Sequence, residues 1–167
     1  VTPSHNSLYR LTKKFAGLPS GLRNIVLSRL FGRFVPFVGT AGLRFEQVEC
    51  ERLVVSIHNR RKVQNHIKGV HAAAMALLAE TATGFVLAMN LPDDKLILLK
   101  SMKVDYLERT QGHLRAVATL DPKEIAELQS LEKGNLVVPV SISDESGAEP
   151  IQCEMCWAWM PKKRQGA

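Results

Sequence analysis

The sequence predicts an α+β domain built around one long helix, and three observations carry that expectation. Residues 69–89 are rich in Ala, Leu and Met and hold no internal proline, which makes the run too long for a strand and well suited to a helix. Short β-type runs lie on both sides of it, two before and four after. Strands gathered in runs around a helix, rather than alternating with helices, point away from repeated βαβ units. At 167 residues with 46% hydrophobic content, the chain is the size of one domain with one ordinary core.

From residue 7 to 37, apolar side chains recur at roughly helical spacing: Leu8, Leu11, Phe15 and Leu18, then Leu22, Ile25, Val26 and Leu30. Pro19, Ser20 and Gly21 interrupt them, so two short amphipathic helices are expected. β-Type runs follow at 43–48 and 53–57, then a polar loop at 59–68 and the long helix. Further strands are expected at 95–107, 112–120, 136–143 and 150–160, with turn signals at Gln111-Gly112 and Ser146-Gly147. Asp121 before Pro122, with Glu124 three residues on, marks the start of a short helix between the second and third of these. The expected layout is an N-terminal helical extension at 1–38, the mixed domain at 39–161 and a basic tail at 162–167.

A formal charge of +6 and a pI near 9.4 suggest an anionic partner, but the distribution narrows the suggestion. Residues 1–45 carry Arg10, Lys13, Lys14, Arg23, Arg29, Arg33 and Arg44 and no acid; the rest of the chain is close to balance. The basic segment reads first as a cap packed on the domain, with a membrane or nucleic-acid surface as the competing reading. It has no recognisable nucleic-acid-binding motif, so no nucleic-acid partner is expected. Nor is a leader read at the N-terminus, which lacks an unbroken apolar stretch before a small-residue cleavage site. Three cysteines fit a reducing compartment, and the cytoplasm is expected. Cys153 and Cys156 form C-x-x-C on a predicted strand, where positions three apart face opposite ways, so no metal or cofactor is expected there. Trp157 and Trp159 alternate on the same strand and are expected to pack one face.

Between Ala72 and Pro92 the one ionisable side chain is Glu80. A helix apolar all round is buried, so this glutamate has three readings. A membrane span is disfavoured, because a mid-span acid costs about 2.5–3.5 kcal/mol on insertion and no second span exists. A core helix whose glutamate reaches solvent is the second. The third is a site carboxylate, whose pKa desolvation raises towards the range of a useful acid or base.

Asn65, His66, Ile67, Lys68, Gly69, Val70, His71, Ala72 and Ala73, followed by Leu78, Ala79, Glu80, Thr81, Ala82, Thr83 and Gly84, resemble the hotdog-fold acyl-CoA thioesterases. The branch resembled is that of phenylacetate degradation and 4-hydroxybenzoyl-CoA thioesterase. There an Asn or Gln lies six residues before a His-Gly-Gly and an acid nine residues after the same His, spacings matched by Asn65, His71 and Glu80. The resemblance implies a hotdog fold, a long central helix wrapped by an antiparallel sheet. It implies Glu80 as general base or nucleophile on the thioester carbonyl, Asn65 orienting substrate or water, and His71 at the helix entrance. It further implies the Ala72 backbone N–H as oxyanion donor; His66, to which the branch assigns no role, is expected with Gly69, Thr81 and Thr83 among the substrate contacts. Nine helical residues span about 13 Å and turn about 900°, so one chain hardly brings His71 and Glu80 together. A homodimer, or a dimer of dimers, with sites across the protomer interface is therefore expected.

Two positions depart from the resembled pattern. Ala72-Ala73 stands in place of Gly-Gly, adding two methyl groups where the family exposes bare backbone. Gly84 stands where many relatives carry a water-holding Ser or Thr. Hydrolysis of an acyl-CoA is the first expectation; a hotdog protein that binds acyl-CoA without turning it over is the alternative.

Overall fold

The computed structural model describes residues 6–162. The first five residues of the expected extension and residues 163–167 of the expected tail lie outside the described residues. Three helices precede the first strand: α1 (Ser7–Lys14), α2 (Ser20–Phe34) and α3 (Pro36–Ala41). Two were expected. The additional break falls at Val35, because Pro36 has no N–H for the α2 ladder and opens α3 at its first position instead. Residues 39–41, placed at the start of the mixed domain, are thus helical, and α3 stops at Gly42 in the left-handed conformation (φ 74°).

The remaining elements are β1 (Arg44–Val48), β2 (Arg52–Ile57), α4 (Ala72–Asn90), β3 (Lys95–Tyr106), β4 (Leu114–Thr119), α5 (Pro122–Ser130), β5 (Gly134–Val138), β6 (Val140–Asp144) and β7 (Ile151–Pro161). The long helix lies where its composition placed it. α5 begins with the expected capping box, Asp121 accepting from the Glu124 N–H while the Glu124 carboxylate accepts from the Asp121 N–H. Residues 136–143 were expected as one strand and are two. Pro139 cannot donate to a ladder, so the chain leaves one sheet there and enters the other.

Every strand pair is antiparallel, in two sheets of order β1-β2-β4-β6 and β3-β7-β5. Both wrap α4, which packs on β2, β4 and β6 of one and on β3 and β7 of the other. This burial explains why α4, long and apolar enough to cross a membrane, has half of its most apolar stretch inside the protein. Phe31 of α2, Phe45 of β1 and Phe85 of α4 meet with ring centroids 4.7–4.9 Å apart, joining the N-terminal helices to the same core. Asn6 adds a polar tie. Its Oδ1 accepts from the Tyr9 N–H at the start of α1, while Nδ2 donates to the carbonyls of Ala88 and Leu91 at the end of α4, each at 2.6 Å. One buried side chain thereby serves open groups at two helix termini.

Trp157 and Trp159 of β7 are both buried on the helix-facing side, as their spacing suggested. Their rings lie against Gly84 and Gly134, where an added Cβ would fall 2.6 and 2.5 Å from ring carbons. Cys153 lies on that inner side and Cys156 on the other; burial pushes the Cys153 thiol up to about 11.

Candidate functional site

The N-terminus of α4 is set by His71. Its ring Nδ1 accepts from the Ala73 N–H at 3.1 Å, and its carbonyl accepts from the N–H groups of Ala74 and Met75. An accepting Nδ1 belongs to the neutral ring protonated on Nε2. The Ala72 N–H finds no acceptor among the described residues, so the first amide of the helix is left open at the positive end of its dipole. The Ala72 carbonyl accepts from the Tyr106 hydroxyl at 3.0 Å. Tyr106 was not among the residues singled out from sequence, and no spacing signal ties a strand end to a helix start 34 residues earlier.

The loop before α4 is folded on Asn65. Its N–H donates to the Gly69 carbonyl at 2.9 Å, and its Oδ1 accepts from the N–H groups of Ile67 and Gly69 at 3.0 Å each. This tight return places Lys68 at φ 62° and leaves the Asn65 amide hydrogens for another partner. Gly69 is packed close: a Cβ there would stand 3.2 Å from Thr110 Oγ1 and 3.6 Å from Asn65 Nδ2. His66 is exposed on the same loop. Of the neighbouring cations, Lys62 donates to the Thr40 carbonyl at 2.7 Å, and so serves the end of α3.

Glu80 lies on a half-exposed strip of an otherwise buried helix, with Ala73, Ala76 and Leu77. No cation lies within ion-pair distance among the described residues, and the nearest donor is the Thr81 hydroxyl, at a long 3.5 Å. Burial raises the carboxyl above its ordinary 4.5, with that hydroxyl acting weakly against the rise. Thr81 is itself buried. Thr83, expected to touch substrate, is fully enclosed: its hydroxyl donates to the Ala79 carbonyl at 2.8 Å and accepts from the Trp157 indole N–H at 2.9 Å. The same indole occupies the space beside Gly84. The departure at Gly84 therefore has a local cause, because a Ser or Thr would collide with Trp157.

Asn65, Gly69, His71 and Ala72 form one cluster at the mouth of α4, and Glu80 stands eight residues, or about 12 Å, along the helix from Ala72. A single protomer does not gather them at one point. β3 borders both. Its register shifts between Leu99 and Ser101, so Ile97 and Leu99 oppose the two buried tryptophans, whereas Met102, Val104 and Tyr106 oppose Met155, Cys153 and Ile151. The bulge thus turns a second apolar set to the face of the sheet that carries Met155 and Ile151. There Met102 and Tyr106 remain 56% and 50% exposed, on an edge strand with no neighbour on its far side among the described residues. Two clefts of the protomer lie elsewhere. One of about 350 Å³ sits between α1, α2 and the β1–β2 turn, and one of about 490 Å³ beside Asp93 and Gln129.

A long helix enclosed by antiparallel strands, with its N-terminus open beside an unpaired strand edge, defines a hotdog domain. The chain belongs to the family described as Domain of unknown function (DUF4442), which matches residues 23–160. Solved structures share the fold at low identity. A protein of unknown function and probable thioesterase from Pseudomonas aeruginosa superposes with a TM-score of 0.75 at 22% identity, over 87% of this chain and 97% of its own. A thioesterase from Haemophilus influenzae gives 0.67 at 14%, over 84% and 92%. A variant of a thioesterase enzyme from Staphylococcus aureus gives 0.65 at 18%, over 75% and 99%. No functionally curated protein matches the chain.

Proposed function

We propose that this protein hydrolyses acyl-CoA thioesters as a homodimer or dimer of dimers, in the manner of the phenylacetate-degradation and 4-hydroxybenzoyl-CoA branch. The observation that carries the reading is Glu80: a half-buried carboxylate with no cation beside it, raised in pKa, on the helix whose first N–H is open. Glu80 of one protomer faces Asn65, His71 and Ala72 of its neighbour once the exposed strip of α4 and the edge of β3 are covered by the second copy. The Ala72 N–H holds the thioester oxygen as it gains charge, a donor worth about 2.7–4 kcal/mol of barrier. Asn65 uses its free amide hydrogens to orient substrate or water. Glu80 either takes the proton of the attacking water or attacks the carbonyl carbon itself; the C–S bond then breaks and CoA leaves as the thiolate, and in the second case water cleaves the acyl–Glu80 anhydride to free acid and Glu80. His66 and Gly69 line the approach, and no metal or organic cofactor takes part. Three unpaired cysteines suit a cytoplasmic setting.

A second reading, acyl-CoA binding without turnover, is favoured by two specific features. Trp157 fills the place beside Gly84 where relatives keep a hydroxyl, and Ala72 and Ala73 place methyl groups at the mouth of α4. Free-thiol release from short, long and aromatic acyl-CoAs, for wild type beside Glu80→Gln, separates the two. Release that falls by about 10²–10⁴ in Glu80→Gln is the expected result. Acyl-CoA binding by both proteins with release by neither selects the second reading, and an active species that sediments as a monomer overturns the shared site.

A further inference from the structure

The N-terminal helices carry a surface that the proposed chemistry does not use. The stripe of α2 opposite Leu27 and Phe31 consists of Leu22, Ile25, Arg29 and Arg33, all exposed, with Leu22 and Ile25 about half open to solvent. At its end the chain turns a corner into α3, and there Phe34 is 85% and Phe37 60% exposed, with Val35 between them. The corner is tightly built. Gly32 and Gly39 pack backbone against backbone, a Cβ on Gly39 falling 2.5 Å from the Gly32 carbonyl oxygen, so the two helices approach as closely as chains can. Two phenylalanines are thereby held outward on a fixed support, not on a flexible loop. Among the described residues neither Arg29 nor Arg33 meets a carboxylate within 4 Å.

We infer that this corner docks the protein on an anionic lipid surface, Phe34 and Phe37 entering the headgroup–acyl boundary while Arg29 and Arg33 meet the lipid phosphates. Charge selects the occupant. Residues 1–45 hold seven cations and no acid, so a second copy docked face to face would set Arg29 and Arg33 against their own kind. A nucleic acid would satisfy the arginines but not Leu22 and Ile25, which have no π-face for a base to stack on. Exposed apolar wedges at the end of a helix whose outer stripe carries arginines suit a bilayer interface, where buried apolar area and anionic attraction add. The inference does not depend on the hydrolytic reading.

Flotation of the full chain with phosphatidylcholine vesicles, with and without phosphatidylserine, tests it. Wild type should float with the mixed vesicles, and high salt should release it. Phe34→Ser with Phe37→Ser, and separately Arg29→Gln with Arg33→Gln, should each lower partitioning about tenfold. Both pairs are exposed, so an unchanged circular dichroism melt verifies the fold of each. Equal binding to neutral vesicles, or no flotation at all, overturns the inference. So does a serine pair that shifts the protein to a smaller oligomer without altering flotation, which would give the corner to a second copy. Binding to a random RNA oligomer that the arginine pair abolishes, with flotation unaffected, gives the face to nucleic acid.

Discussion

The indole nitrogen of Trp157 donates to the hydroxyl of Thr83 at 2.9 Å, while the indole ring seals the backbone of Gly84 next to it. One side chain thus fixes two positions of α4 within a turn of Glu80. It also explains why a threonine that reads as a substrate contact is a core residue.

Thr83→Val should leave the indole N–H without its acceptor and lower stability by about 1–3 kcal/mol. Gly84→Ala should be destabilising by a similar amount, about 1–3 kcal/mol, because the new methyl overlaps the ring. Urea denaturation followed by tryptophan fluorescence measures both. Two near-neutral variants would show that the indole can move aside.

Glu80 makes a paired prediction in pH. Its folded pKa is raised, so the folded protein binds the extra proton between the ordinary carboxyl value and the raised one, and stability falls as pH rises through that window. Glu80→Gln should therefore melt higher than wild type at neutral pH and equal to it in acid. The hydrolytic rate should move the opposite way, rising with pH as the carboxylate forms, with its acid limb above the ordinary 4.5. A stability difference independent of pH would remove the desolvated carboxylate from the argument.

Docking of α1 should be acid-sensitive with the reverse sign. The N–H and hydroxyl of Ser7 both bond Asp93, at 2.7–3.0 Å, and hold its carboxyl below the usual 3.8, with Arg10 adding to the effect. The contribution is complete above the ordinary carboxyl value and is lost as pH falls through the lowered one. Hydrogen exchange of the α1 amides should quicken in that acid window, and Asp93→Asn should exchange fast at every pH. Asn6→Ala should loosen the same helix and cost about 0.5–2 kcal/mol at neutral pH.

The parts legible in the sequence are those set by local chemistry. The proline-free run around Glu80, the alternation of Trp157 and Trp159, and the Asp121-Pro122-Glu124 start each state their structure within a few residues. α3 escaped notice because six residues are too short for a period, and its cause, Pro36 followed by Gly42 in a left-handed cap, lies in breakers rather than in pattern. The division into two sheets was also hidden, since strand spacing does not say which ladder Pro139 interrupts. At the site, the motif located the mouth of α4. It could not separate Thr81 and Thr83 from substrate contacts, because the partner that claims the Thr83 hydroxyl lies 74 residues away. Tyr106 needed the bulge in β3 before it could be seen beside Ala72.

The tie made by Asn6 also bears on the order in which the chain can fold. Its carbonyl partners lie 82 and 85 residues later, so α1 has its anchor supplied only after α4 is complete. At about 5–20 residues per second of synthesis, that interval is roughly 4–17 s. Through it Leu8, Leu11 and Phe15, which finally pack on the core, have no finished surface to cover. Loop closure over such a span is slow relative to the local pairing of β1 with β2. α1 leaves the ribosome well before the helix end that secures it.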